Sequence, residues 1–151
     1  MISKKTKYGL NAVTYLALEF DKGAVLISEM AESQKMPKKF LEAILLELKN
    51  RGILQSKKGK GGGYALAKSP KDITIGQIVR ALEGPLAPVS CVSQTAYKKC
   101  DECLDEHCCG IRMVMNEVRE AMSNILDKRS LADVVAQIKD AKGNQEMNYI
   151  I

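Results

Sequence analysis

Residues 37–67 read PKKFLEAILLELKNRGILQSKKGKGGGYALA, a helix, a turn and a cationic hairpin in immediate succession. Pro37 opens the helix, where its missing N–H leaves no bond unmade. Phe40, Leu41, Ile44, Leu45 and Leu48 then recur on one buried stripe as far as about Asn50, and Gly52 closes the helix. Ile53 to Lys57 and Tyr64 to Ala67 are short runs of alternating character. Between them Lys58-Gly59-Lys60-Gly61-Gly62-Gly63 forms a glycine-rich tip carrying cations, the mark of a β-hairpin.

Upstream, Leu10, Val13, Leu16, Ala17 and Phe20 fall at helical spacing over Tyr8 to Phe20, and Asp21-Lys22-Gly23 ends that helix. Ser28 offers an N-cap, with Glu29 in the first turn, for a short helix through Met30 and Ala31. The break at Gln34-Lys35-Met36 makes the short helix and the one from Pro37 a helix-turn-helix candidate. Such pairs are common; the basic hairpin that follows turns this one into a winged helix. A Walker phosphate loop is excluded, since no Gly-Lys-Ser/Thr triplet and no helix follow Gly63. A flexible, solvated hairpin is the bland alternative, and the preceding helices favour DNA over it.

The chemistry suits double-stranded promoter DNA. Ser28, Lys38, Lys39 and Glu42 stand near helix starts that can face the major groove. The lysines supply phosphate affinity and Glu42 can accept from a cytosine amino group. In the wing, Lys57, Lys58 and Lys60 reach phosphates or a minor groove, while Gly59, Gly61 and Gly62, ahead of Tyr64, let the backbone approach closely.

Charge is unevenly divided along the 151 residues. Residues 1–80 hold 15 Lys and Arg against 7 Asp and Glu, a balance of +8; residues 81–151 hold 8 against 11, a balance of −3. A basic unit joined to an acidic one points to a polyanion-binding module with an attachment. No apolar run approaches the roughly 20 residues needed to cross a bilayer, and no apolar signal region follows the basic start. A cytoplasmic protein with reduced thiols is expected, and an odd count of five cysteines argues against a disulfide framework.

All five lie between Cys91 and Cys109: Cys91, Cys100, Cys103, Cys108 and Cys109. Thiolates this close bind soft metals, hold iron–sulfur clusters or carry redox chemistry. Before them, a short helix runs through Gln77, Ile78, Val79 and Leu82, and Gly84-Pro85 and Pro88 break the chain into a loop. After them, Ile111, Val114, Met115, Val118, Met122, Ile125 and Leu126 fall at steps of three and four. That seam either packs on the first helix or pairs with its copy; twofold reading of palindromes favours a homodimer. Ser130, Leu131, Asp133, Val134 and Val135 begin a last short helix. The expected organisation is a mainly α chain: a winged helix-turn-helix DNA-binding domain over 1–84, a cysteine-rich sensor loop over 85–109, a long dimerisation helix and a C-terminal helix over 110–142, and a flexible tail over 143–151.

In Tyr8-Gly9-Leu10, Phe40-Leu41-Glu42, the Lys58-to-Tyr64 wing and the cysteine loop ahead of a long helix, the chain resembles the Rrf-type winged-helix regulators. This family includes IscR, NsrR and CymR. The likeness spans about Met1 to Gln137 and implies a dimeric transcription factor, not an enzyme. In sensing members, loop cysteines hold an iron–sulfur cluster of two-iron or four-iron type whose state alters DNA binding. By that resemblance Cys109, Cys103 and Cys91 match the three ligands, with a longer first spacing than in IscR-like members. Cys100 and Cys108 are possible substitutes or a fourth ligand. The chain departs from the pattern at the fourth ligand. IscR-like members place a His where Arg112 stands, and others a carboxylate where Lys7 stands. His107, Glu102, Asp105 and Glu106 are further candidates, and four of the five thiolates would suffice. Cys100-x2-Cys103 also suits zinc, and a metal-free thiol switch is a further alternative. A thiol oxidoreductase is disfavoured, because the motif lacks thioredoxin-like context and a paired base. Retention of five cysteines likewise argues against a regulator that has lost its sensor.

Overall fold

A computed structural model describes residues 2–150. Its helices are α1 (Lys4–Leu18), α2 (Ile27–Ser33), α3 (Lys38–Asn50), α4 (Ile75–Glu83), α5 (Gly110–Lys128) and α6 (Leu131–Ile150). A two-stranded antiparallel sheet, β1 (Leu54–Lys57) and β2 (Gly63–Leu66), pairs Leu54 with Leu66 and Lys57 with Gly63. This is the mainly helical winged-helix architecture expected from residues 37–67.

Local chemistry accounts for the boundaries. Ser3 caps α1, its hydroxyl accepting from the Thr6 N–H at 3.2 Å. At the end of α3, Gly52 N–H donates to Lys49 O at 2.9 Å and Ile53 N–H to Leu48 O at 3.0 Å, a Schellman ending. Gly52 has φ +78°, a left-handed conformation that favours glycine. Ile53 and Leu48 are both buried beside it, so the turn into β1 is locked at once by backbone and by packing. Thr74 and Gln77 form a reciprocal capping box at the start of α4.

Leu16, Met30, Leu41, Ile44, Leu45, Leu48 and Ile78 fill the core between α1, α2, α3 and α4. The Tyr8-Gly9-Leu10 and Phe40-Leu41-Glu42 motifs meet there. The rings of Tyr8 and Phe40 stand edge to face with centroids 5.5 Å apart. Gly9 lies against Leu82 and Ile44 where a Cβ would collide with the Leu82 side chain. The Lys5–Glu47 ion pair at 2.6 Å bridges α1 and α3 over the same contact.

The back half is fastened to α4. Leu131 N–H donates to Ile73 O at 2.8 Å and Ile75 N–H to Arg129 O at 2.9 Å. Arg80 grips Asp127 with both terminal guanidinium nitrogens, Nη1 and Nη2 donating at 2.5 and 2.8 Å. This hydrogen-bonded pair holds the Asp127 carboxyl below its ordinary value and raises Arg80.

Three local expectations change. Ser28 is not an N-cap: α2 begins at Ile27, with Leu26 as the capping position two residues earlier. Val25 is bonded to Tyr64 in both directions, at 2.8 and 2.9 Å, and this strand-like anchor fixes where the chain can turn helical. Pro37 is the residue before α3 rather than its first turn. The last helix is not short: α6 continues from Leu131 to Ile150, through most of the stretch expected as a flexible tail over 143–151. Ser130 and Asp133 cap its start reciprocally at 2.9 and 3.1 Å. Beyond it, helix formers such as Gln145, Glu146 and Met147, with no proline, propagate a helix already nucleated.

Candidate nucleic-acid interface and cysteine cleft

Helix α3 turns Leu41, Ile44, Leu45 and Leu48 into the core, with Phe40 at its exposed edge, which leaves Lys38, Lys39 and Glu42 exposed together on its first turns. Ser28 is exposed in the first turn of α2. The hairpin tip carries Lys57, Lys58, Gly59, Lys60 and Gly61 on the surface. Two members of the candidate set lie differently. Gly62 is buried inside the tip, where a Cβ would press on the carbonyls of Lys57 and Gly59 at 2.5 and 2.7 Å. Tyr64 is half-buried against the core, and its backbone bridges the wing to Val25. Val25 sits two residues before α2, so wing and helix-turn-helix are one hydrogen-bonded unit.

The cysteine loop folds back on the start of α5. Cys91, Cys100, Cys103 and Cys109 all line one cleft of about 490 Å³, together with Glu102, Glu106 and Arg112. Cys108 and His107 are exposed and do not line it. Each position follows from a local bond. Cys103 N–H donates to Cys100 O at 3.3 Å, closing a turn. Cys109 is the N-cap of α5, its sulfur accepting from the Arg112 N–H at 3.4 Å. The Arg112 Nε in turn donates to Cys91 O at 3.3 Å, joining positions 21 residues apart. Glu106 accepts from the Tyr97 hydroxyl.

Desolvation pushes the Cys103 thiol up, and the hydrogen bond with Cys109 and that residue's charge act in the same direction. Among the described residues no three His, Cys, Asp or Glu side chains close on a single point at ion-holding distance. The donor set is the kind a sulfur-ligated group takes: four soft donors line one cleft, which exceeds what a single ion with Zn–S distances of about 2.3 Å requires.

The candidate dimer residues divide between two faces of α5. Ile111, Val114, Val118 and Ile125 are exposed, Ile111 by 69% and Ile125 by 63%. Met115 and Met122 are half-buried on the side turned to the body. With them on that inner side lies Arg119, only 7% exposed, with Nη2 donating to Asn116 at 3.0 Å. Periodicity gives no hint of this arginine, because a cation within an amphipathic helix reads as surface. Arg112 is likewise visible in the sequence only as a missing histidine; its bond to Cys91 is a product of the fold.

A helix-turn-helix bonded to a basic wing defines a winged-helix DNA-binding regulator. The sequence profile of the Rrf2 family, described as iron-dependent transcriptional regulators, matches residues 2–137, and the chain belongs to that family. It is 42% identical over 139 residues to an rrf2-like HTH-type regulator of Rhodobacter capsulatus, covering 90% of this chain and 93% of that one. It is 32% identical over 149 residues to CymR of Bacillus subtilis, covering 99% of each. Among solved structures, CymR of B. subtilis superposes with a TM-score of 0.77 at 30% identity, covering 91% of this chain and 97% of CymR. IscR of T. potens superposes at 0.75 and 28% identity, covering 93% and 90%. The chain is therefore a DNA-binding transcriptional regulator and not an enzyme. Among the described residues no helix is long and apolar enough to cross a membrane.

Proposed function

We propose that this regulator is a homodimer whose affinity for promoter DNA is controlled by an iron–sulfur cluster held by Cys91, Cys103 and Cys109. The observation that carries the reading is the single cleft shared by four of the five cysteines, built on the N-terminus of the helix that also bears the exposed apolar face. When bound, the cluster would supply a redox-active iron centre, held by those thiolates, that responds to oxidation or loss of iron. The protein's part is mechanical. Cys91 comes from the loop after α4, Cys109 caps α5, and α5 is clamped to α4 through Arg80 and Asp127. Closing or opening the cleft therefore biases the angle at which α3 is presented.

Dimerisation is supported by Ile111, Val114, Val118 and Ile125, an apolar stripe facing away from the body of the chain. Two copies related by a twofold axis would place two α3 helices on successive major-groove faces. There Lys38, Lys39, Glu42 and Ser28 meet base edges and nearby phosphates. Lys57, Lys58 and Lys60 contact the backbone alongside, with Gly59, Gly61 and Gly62 shaping the tip and Tyr64 anchoring it.

Anaerobic purification of the full chain tests the reading. Iron and acid-labile sulfide in comparable amounts, a visible charge-transfer spectrum, and DNA affinity that changes on cluster removal are expected. Colourless protein that takes up zinc alone, or DNA binding indifferent to cluster loss, refutes it. In the first case the Cys100–Cys103 turn would be a zinc site.

A further inference from the structure

We propose that Cys100 supplies the fourth sulfur of this site and that Arg112 is a positioning residue that ties the cleft shut instead of a ligand. The proposal rests on the iron–sulfur reading above and goes beyond it by assigning a site made of four thiolates. Arg112 occupies the place where a histidine ligand would stand in IscR-like chains. A guanidinium has no lone pair to offer and stays protonated in proteins, so it cannot ligate there. It makes two bonds instead: its main-chain N–H meets the Cys109 sulfur at 3.4 Å and its Nε meets the Cys91 carbonyl at 3.3 Å. One residue thus joins the first and last cysteines of the loop.

The ligand position that the histidine would fill falls to a group already in the cleft. Cys100 lines it, as Cys103 does, and the backbone turn between the two holds them near one another. Cys100 and Cys108 are both exposed, but Cys108 does not line the cleft. It ends the 3-10 turn Glu106–Cys108, whereas Cys109 is extended and turns its sulfur to the start of α5. His107 lies in the same exposed turn, its main-chain N–H donating to Asp105 Oδ1 at 2.9 Å, and it does not line the cleft. Of the two carboxylates in the cleft, Glu106 is bonded to Tyr97. Glu102 is the remaining oxygen donor, a harder ligand than iron–sulfur chemistry selects when a thiolate is at hand. Four thiolates make the loaded site strongly anionic, and the Arg112 cation beside it offsets that charge.

Anaerobic reconstitution of the full-length wild type and of the variants C100S, C108S, E102Q, R112Q, R112K and C100S/R112H decides the matter. The readouts are iron and sulfide per chain, visible and electron paramagnetic resonance spectra, and reduction potential. C108S and E102Q are expected to load and look like wild type, while C100S loses most of its iron or changes its spectrum. C100S/R112H recovers loading with the spectrum of a site containing one nitrogen ligand. R112Q weakens cluster retention by about 10–100-fold, as loss of a group that orients ligands does. It also moves the potential to more negative values; R112K restores the potential but not the retention. If wild type binds no iron, the iron–sulfur reading itself fails. If wild type loads and C100S is indistinguishable from it, or C108S or E102Q is the one that loses iron, only the assignment of Cys100 is overturned. If R112Q leaves both retention and potential unchanged, the role given to Arg112 is overturned.

Discussion

Replacing Gly63 with alanine tests the claim that wing and helix-turn-helix are a single unit. At φ +147° the residue sits where side chains are rarely accepted, and a Cβ would collide with the Val25 carbonyl oxygen and lie 2.9 Å from the Leu26 nitrogen. These are backbone atoms, so no side chain can swing aside. Relief requires breaking the two Val25–Tyr64 bonds of 2.8 and 2.9 Å. Each contributes about 0.5–1.5 kcal/mol, and forcing an L-residue into such a conformation costs about 1–3 kcal/mol. The expected loss is therefore about 2–6 kcal/mol against a typical total of about 5–15 kcal/mol. Gly61 is the control: it also has positive φ, +77°, but nothing lies within 4 Å of its added Cβ. Alanine there should cost only the backbone term, about 1 kcal/mol. Urea unfolding followed by circular dichroism at one protein concentration gives both numbers. A Gly63→Ala loss no larger than that of Gly61→Ala would refute the reasoning.

Three further outcomes follow from the same geometry. Val118→Glu on the outer face of α5 places an unpaired carboxylate in each half of the proposed dimer seam, at about 3–5 kcal/mol per buried charge; light scattering at micromolar concentration should report monomers, and an unchanged dimer mass would count against the seam. Lys58→Gln with Lys60→Gln should lower the slope of log affinity against log salt by about 0.9 for each phosphate no longer neutralised, with sequence preference retained; fluorescence anisotropy on promoter and scrambled DNA measures both. Acid should weaken the attachments to α4. Glu83, held down to about 2 by hydrogen bonds from Ser3 and Thr6, and Asp127, held down by Arg80, both have folded values below their unfolded ones. Their contribution is complete above the unfolded carboxylate value of about 4 and is lost as pH falls through the folded values. Asp127→Asn should remove part of that pH dependence while costing about 1 kcal/mol or less at neutral pH, as for an exposed pair; pH-dependent thermal melts compare the two proteins.

What the sequence makes legible here is what short-range terms decide. The α3 stripe, the glycine that ends it and the two strands that follow are set by residues within a few positions of one another, so residues 37–67, with the short helix before them, reveal the winged helix. The start of α2 is different. Ser28 is a good cap by its side chain, yet the two bonds that Val25 makes to the distant Tyr64 outweigh that preference and move the helix start to Ile27. The α5 pattern misleads in a related way. Apolar steps of three and four cannot say which side of a helix meets the body, and the structure turns Met115 and Met122 inward beside the buried Arg119 while Val114 and Val118 face out. The cysteines show the limit most sharply. Cys108 and Cys109 are adjacent in sequence and equal in chemistry, but only one is an N-cap, and the helix start that makes it so also aims its sulfur into the cleft. Motif matching picks Cys109, which lines that cleft, and marks Arg112 as a defect because a ligand is missing there. In the folded chain Arg112 is the residue that holds Cys91 and Cys109 together, so the departure from the pattern and the geometry of the cleft are the same fact.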